Sequence, residues 1–380
     1  MFKSRIESKA KLRIGGMKAV RVATRWLLPC ILAAALTATA TAQVPHITLT
    51  PQESGTDVLL IGVSPVDEKV VWLSGAGGTV VRTTNGGESW HNLVVPGADS
   101  LQFRDVHAVD DSTAYVLSAG SGSASRIYKT LDAGQTWMLQ MVNPGPGGFF
   151  DCFDFWDADH GIAFSDSYEG NFIVIETENG GATWNRIAGD ILPPASEGEG
   201  SFASSGTCLR TIGDSTVVVG TGAGVSARLL RSDDRGATWR AFETPIQDGT
   251  ATSGISSLSF IDGERGYTFG LELSGNDGPI QNAARTGDGG ETWTVLSPPQ
   301  LPDVYGGAVV PGSNGPTLVV AGPKGIDYSH DGGEEWCSLT KLDHWGLAFG
   351  GPATGWAVGP GGRITRLTVA PDNSRSAAKP

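Results

Sequence analysis

Positive charge is scarce in this chain once its first 42 positions are set aside. Eight of the 27 Lys and Arg, but only one of the 40 acidic residues, fall in 1–42, which leaves a formal charge of −20 on the remainder. Nucleic acids and anionic membranes bind through clustered cations, so neither is an expected partner. Long apolar runs are missing too. WLLPCILAAAL, residues 26–36, falls well short of the roughly 20 residues a membrane helix needs, and nothing after it is long and apolar enough to span a bilayer. Cysteine is sparse: beyond residue 42 only Cys152, Cys208 and Cys337 remain, an odd number that permits one internal bridge at most and leaves a thiol over. There is no HExxH or Cys/His spacing for zinc, no Gly-x-Ser-x-Gly elbow, and no nucleotide fingerprint leading from a strand into a helix. No metal and no cofactor is expected.

The N-terminus explains where the cations went. Lys18, Arg21 and Arg25 precede the short apolar run, and small residues ending Ala40-Thr41-Ala42 follow it. That order predicts a cleaved secretory signal over 1–42, with Met17 an alternative start and a secreted or periplasmic destination. Cys30 would suit a lipoprotein, but Pro29 precedes it and the apolar run continues past it. An exported compartment permits disulfides.

What the chain has in abundance is repetition. RTTNGGESW (82–90), KTLDAGQTW (129–137), ETENGGATW (176–184), RSDDRGATW (231–239), RTGDGGETW (285–293) and YSHDGGEEW (328–336) place their tryptophans 47, 47, 55, 54 and 43 positions apart. Each is preceded by β-type runs such as FRDVHAV, TAYVLSA and SRIYKT and followed by another, such as TWMLQMV. The period is therefore one four-stranded sheet with its turns. Asn85, Asp132, Asn179, Asp234, Asp288 and Asp331 are expected to accept hydrogen bonds from their own turns, and the Gly two positions on to supply a positive φ. Trp90, Trp137, Trp184, Trp239, Trp293 and Trp336 are expected to bury their rings against a neighbouring sheet.

The phrase S/T-x-D/N-x-G-x-T-W resembles the Asp-box, or bacterial neuraminidase repeat. In that superfamily the boxes sit on outer hairpins of a β-propeller, away from the ligand face, so the resemblance implies that all six are scaffolding. A seventh unit, HWGLAFGG (344–351), GWAVGP (355–360) and GRITRLTV (362–369), has three strands, and PHITLTPQ (45–52) is left without a sheet. Joining them removes the open edge at the seam. The expectation is an all-β, seven-bladed propeller over 43–369, its last blade closed by the N-terminal strand, with a disordered tail at 370–380.

Aligning the inner strands by the turn that follows sets FRDVHAVDDST (103–113), FDCFDFWDADHG (150–161), GTCLRTIGDST (206–216), ISSLSFIDGERG (255–266) and HWGLAFGGPATG (344–355) side by side. Val106, Phe153, Leu209, Leu258 and Leu347 then share one row, which alternation assigns to the core. Asp105, Cys152, Cys208, Ser257 and Gly346 form one flanking row, and His107, Asp154, Arg210, Ser259 and Ala348 the other. Arg104, Asp151 and Trp345, with His344 beside it, fall at the strand mouths. The ligand-binding candidates are Arg104, Asp105, His107, Asp151, Asp154, Arg210, His344 and Trp345; an ion pair of Asp154 with Arg210 or His107 that merely links blades is the alternative. Cys152 and Cys208 are positioned either for the one disulfide or as unbridged buried thiols. Cys337, next to Trp336, is expected to be packed, and His160 to be solvated in its turn. Segment 193–208, with few large side chains, reads as a flexible connection; the alternative is that Gly198, Gly200 and Gly206 let the backbone approach a ligand or another loop closely, with Glu197 and Glu199 facing the channel mouth.

Sialidases share the implied fold, but the first unit, LLIGVSPVDEKVVWLSG, has no Arg before Arg82 to match their early Arg-Ile-Pro motif. Xyloglucan hydrolases with such boxes pair two propellers, and this chain has length for one. Over about residues 44–369 it is similar to exported single-propeller proteins grouped with photosystem II assembly and stability factors, which hold a partner on one face. The expected function is thus a binding or assembly scaffold for a protein or carbohydrate on the channel face. A glycoside hydrolase or lyase using Arg104, Asp105, Asp151, Asp154 and Arg210 is the alternative.

Overall fold

In the computed structural model, which describes residues 46–370 apart from 144, 146, 276–279 and 314–315, the chain is drawn into seven antiparallel sheets of four strands each. The expected signal and all of the tail beyond Ala370 lie outside the described residues. Blades 1 to 6 are continuous in sequence; blade 2, for example, runs Phe103–Ala108, Ala114–Ser118, Arg126–Thr130 and Met138–Val142. Blade 7 takes three strands from the end of the chain and its outermost one, Ile47–Gln52, from the beginning. That strand pairs antiparallel with Arg363–Val369, from Ile47↔Val369 to Gln52↔Ile364. The seam expected from the sequence is the seam observed.

The buried apolar residues divide into seven clusters, and each cluster lies between two blades. One joins Leu60, Val71 and Leu73 of blade 1 to Trp356, Val358 and Ile364 of blade 7, so the cycle has no gap. A thin sheet exposes both faces, and stacking it against two neighbours buries both without a central core.

The repeated hairpins follow local chemistry. In each, a Thr or Ser two residues before the Asx accepts the N–H of the Gly two positions after it, as Thr286 Oγ1 does from Gly290 at 2.8 Å. The same hydroxyl donates to the Asx carboxylate or amide oxygen, 2.8 Å to Asp288 Oδ1, which in turn accepts the Thr292 N–H at 2.9 Å. Gly290 holds φ +94°, where a side chain would be strained. The hairpin indoles sit at blade interfaces: Trp137 packs on Trp72 and Trp336 on Phe269 of the preceding blade, and Trp184 on Phe155 of its own. Their burial is less complete than expected. Trp239 is buried, whereas the other five keep one edge in solvent because the hairpin lies at the rim.

Cys337 also departs from expectation and is exposed. It opens the short outer strand Cys337–Thr340, where the residue after a rim-facing Trp turns outward.

Candidate functional site

The seven inner strands run along the central channel, and every one contacts the next around the ring. The aligned row expected in the core is there: Val106, Phe153, Leu209, Leu258 and Leu347 are all buried. Between those residues, polar side chains reach from one inner strand to the backbone of the next. Asp105 accepts the Phe153 N–H at 2.9 Å and its own neighbour Val106 N–H at 2.8 Å. Ser257 accepts from Gly307 at 2.9 Å, Ser259 from Val309 at 3.0 Å and Ser64 from Ala108 at 2.9 Å. Asp154 is the busiest: it bonds His107 Nδ1 at 2.8 Å and accepts the Thr211 N–H at 3.0 Å, tying blades 2, 3 and 4 together. Burial opposes its charge, but His107, Arg210 and the Thr211 N–H together hold its carboxyl below the usual range. Cys152 and Cys208 form a disulfide between blades 3 and 4, with Cα atoms 6.0 Å apart.

Segment 199–207 is the main correction. Far from being a flexible connection, it leaves the rim of blade 3, enters the channel mouth and bonds to five blades. Gly200 exchanges two backbone hydrogen bonds with Gly222 of blade 4, at 3.0 and 2.9 Å. The Ser201 N–H donates to Asp166 of blade 3 at 3.0 Å, and its hydroxyl donates to Gly220 O at 2.7 Å. Ser204 and Ser205 donate to Tyr305 O of blade 6 at 3.0 and 2.6 Å, and Thr207 donates to Ser257 of blade 5 at 2.8 Å. Across the ring, Arg104 of blade 2 donates to Ala203 O at 3.0 Å. Blades 2 and 5 or 6 face each other across a seven-membered ring, so residues 203–207 lie on its axis.

Two glycines make the fit possible. A Cβ on Gly200 would stand 1.9 Å from Asp166 Oδ1, and one on Gly206, which has φ +74°, 2.1 Å from Asp105 Oδ1. Glu199 does not face the channel mouth. It is buried in a bidentate ion pair with Arg228, which together with Thr221 and the Ser196 N–H holds its carboxyl below the usual range despite burial; Glu197 stays exposed.

The plug sorts the candidates by depth. Gly62, Asp105, Cys152, Cys208, Ser257, Gly306 and Gly346, one per blade, form a layer that is buried throughout. Burial pushes the Asp105 carboxyl well above the usual range. Asp151, beside this layer, is 1% exposed; burial, then the adjacent Asp166 carboxyl, push it well up. Of the inner-strand residues level with Asp151, Arg104, Tyr305 and Trp345 keep partial exposure. Arg104 lies over the Trp345 ring, 5.9 Å from its centroid, and the Tyr305 and Trp345 rings meet edge-on at 4.9 Å. His344 is not at the mouth. It is fully buried in blade 7, with Nδ1 2.6 Å from Leu342 O and Nε2 2.9 Å from Thr365 Oγ1, and burial pulls it down to about 4. His160 pairs with Asp157 at 2.8 Å in its partly exposed turn. Among the described residues no group of His, Cys, Asp and Glu could hold a metal ion, and no helix is long and apolar enough to cross a membrane.

Asp166 and Tyr305 escaped the sequence reading. Asp166 is on the second strand of blade 3, outside the inner-strand alignment, and Tyr305 precedes a strand, GGAV, too glycine-rich to align. Burial raises Asp166 to about 6. An acid with a raised folded value contributes stability that is fully present below 3.8 and lost as pH rises through about 6. Asp166→Asn keeps an acceptor for Ser201 and removes that loss. Its unfolding free energy relative to the native protein is expected to improve by about 2–3 kcal/mol between pH 4 and pH 7. Denaturant titrations at the two pH values measure this, and a pH-independent difference would contradict the buried pair.

No protein-family model matches the chain. It is 23% identical over 316 residues to a xyloglucanase from Paenibacillus sp, covering 77% of this chain but only 27% of that protein's length. Among solved structures it is similar to YCF48 bound to D1 peptide, at TM-score 0.60 and 15% identity, over 86% of this chain and 100% of that one. YCF48 from Cyanidioschyzon merolae gives TM-score 0.61 at 15% identity, over 84% and 98% of the two chains. An ancestral GH74 enzyme gives TM-score 0.55 at 15% identity, covering 83% of this chain and 45% of that one. At such identities the likeness is one of fold: this is a seven-bladed β-propeller similar to YCF48 and to GH74 enzymes.

Proposed function

We propose that this chain is an exported propeller that holds a protein or carbohydrate on the plug-side face of its channel and performs no chemistry there. The observation that carries the reading is the plug itself. Residues 199–207 cover Asp105 and Asp151, and Asp154 is consumed in ties among three blades, so the carboxylates that hydrolysis needs are withdrawn from that face. What the face offers instead is the Arg104, Tyr305 and Trp345 patch, residue types favoured in binding surfaces. Similarity to a propeller solved with a bound peptide supports a protein ligand. In this reading residues 1–42 are a cleaved signal, residues 43–369 are the propeller, the six hairpins are Asp-boxes, and the compartment is extracellular or periplasmic, which suits the Cys152–Cys208 bridge. The strongly acidic body disfavours nucleic acid as the partner.

Glycoside hydrolysis is the second reading, favoured by the similarity to a xyloglucanase and to a GH74 enzyme. Incubating the purified protein with a panel of β-glucans, xyloglucans and uronate-containing glycans separates the two. No turnover is expected. Turnover abolished in both Asp151→Ala and Asp154→Ala, with circular dichroism and melting showing both variants folded, would replace the scaffold reading with the enzymatic one.

A further inference from the structure

Below the sealed layer the channel changes character. The next inward position of every blade, Ser64 through His107, Asp154 and Arg210 to Ser259, Ala308 and Ala348, is partly exposed, whereas the layer above is buried in all seven. Water cannot reach these positions past residues 203–207, which are themselves buried. It reaches them from the other end, where the inner strands finish and the turns to the second strands begin. The repeated hairpins, which join third strands to fourth, lie at that same end. The channel is therefore a blind chamber, closed at the plug and open on the hairpin face.

One side chain in this chamber has unfilled hydrogen-bond donors. His107 and Asp154 are bonded to each other and Asp154 also to Thr211, while Ser64 and Ser259 accept backbone N–H groups of the next blades. The Arg210 guanidinium makes no hydrogen bond or ion pair among the described residues, although its charge is felt by Asp105 and Asp154. Five N–H donors on a fixed plane, held inside a narrow well and left without acceptors, match a carboxylate or another small oxyanion. The polar neighbours argue the same way. The oxygens of Asp154 are taken by His107, Phe155 and Thr211, and Asp105 is sealed above, so neither accepts from Arg210, whose donors stay unfilled.

We infer that the hairpin-side chamber is a second binding site, in which Arg210 receives a small ligand bearing one oxyanion group, independent of whatever docks on the plug-side face.

The sign of the field can be read without knowing the ligand. Ala348→Cys in a Cys337→Ser background places one thiol on the chamber wall, away from every hydrogen bond named above, and removes the exposed competitor. Its labelling rates with two methanethiosulfonates of like size are compared, one carrying a sulfonate and the other a trimethylammonium. The sulfonate is expected to react at least about tenfold faster relative to the same two reagents on free cysteine, a difference of about 1.4 kcal/mol between the two reagents or about 0.7 kcal/mol per unit charge. Adding Arg210→Gln is expected to abolish or invert that preference. An introduced thiol that fails to react with either reagent would show the chamber closed and overturn the inference, as would preference for the cationic reagent or a ratio indifferent to Arg210→Gln. Should the Arg210 variant misfold, protection of the introduced thiol by sodium glucuronate but not by glucose supports the same conclusion, and equal or no protection by both sinks it. None of these outcomes depends on the scaffold reading, which is tested by turnover.

Discussion

Deleting residues 46–52 is expected to cost about 5 kcal/mol and to make the ring aggregate. The strand contributes Ile47, which is buried in the cluster between blades 6 and 7, and Leu49, which packs against it. Removing these from their surroundings costs about 2–3 kcal/mol. The six-residue antiparallel register with 364–369 adds several ladder bonds at about 1 kcal/mol each. Gln52 also reaches forward to blade 1, accepting from Trp90 Nε1 at 3.2 Å and donating to Gly86 O at 3.4 Å, so the strand fastens the ring across the seam as well as within the blade. Its loss bares the edge of Arg363–Val369, whose residues Ile364, Leu367 and Val369 are buried in the intact protein. An unpaired edge of that kind recruits other chains. Sedimentation velocity and thermal melting check both parts, and a peptide of sequence HITLTPQ supplied in excess is expected to restore the sedimentation of the parent. A truncated protein that sediments as the parent does and melts within about 2 °C of it would show that the ring does not rely on this strand.

Ring closure was legible because it depends on counting. Six hairpins that each carry an acid or amide, a glycine and an indole fix six blades, and a three-stranded remainder with a spare strand at the other terminus fixes the seventh. The core row was legible for a similar reason: alternation in FRDVHA, FDCFDF and SGISSLSF leaves little freedom of register. The plug was not legible, because its burial is achieved by means that composition disguises. SEGEGSFASSGT has the small, polar letters of a solvated loop, yet here the serines satisfy carbonyls of distant blades and the glycines allow contact with Asp166 and Asp105. The signal was present in the density of Gly and Ser next to the inner strand, where close approach has a use. His344 was misplaced because it sits outside its strand, where alternation no longer predicts direction. Cys337 was misplaced because a Trp neighbour was read as a mark of burial when it marks the rim.

Replacing Cys152 and Cys208 together by Ala is expected to lower stability by about 4 kcal/mol, the second large effect. The bridge closes a loop spanning a sequence separation of 56, and the entropy withheld from the unfolded chain by such a loop is worth about that amount at room temperature. The melting temperature is expected to fall by about 6 °C, since a ring of this size has a large unfolding entropy. The native ring is expected to survive, because blades 3 and 4 remain joined by the Asp154 bonds to Thr211 and by the cluster that holds Phe164, Leu209 and Trp239. The plug is expected to loosen first, since Cys208 directly follows Thr207, whose hydroxyl anchors the segment to Ser257. Hydrogen exchange of a peptide spanning 199–207 should therefore quicken more than that of the inner strands. Thiol titration of the chain from residue 43 onward, unfolded without reductant, should count one thiol, Cys337, in the parent. A count of three would remove the bridge from the account and leave the anchoring of the plug to its hydrogen bonds alone.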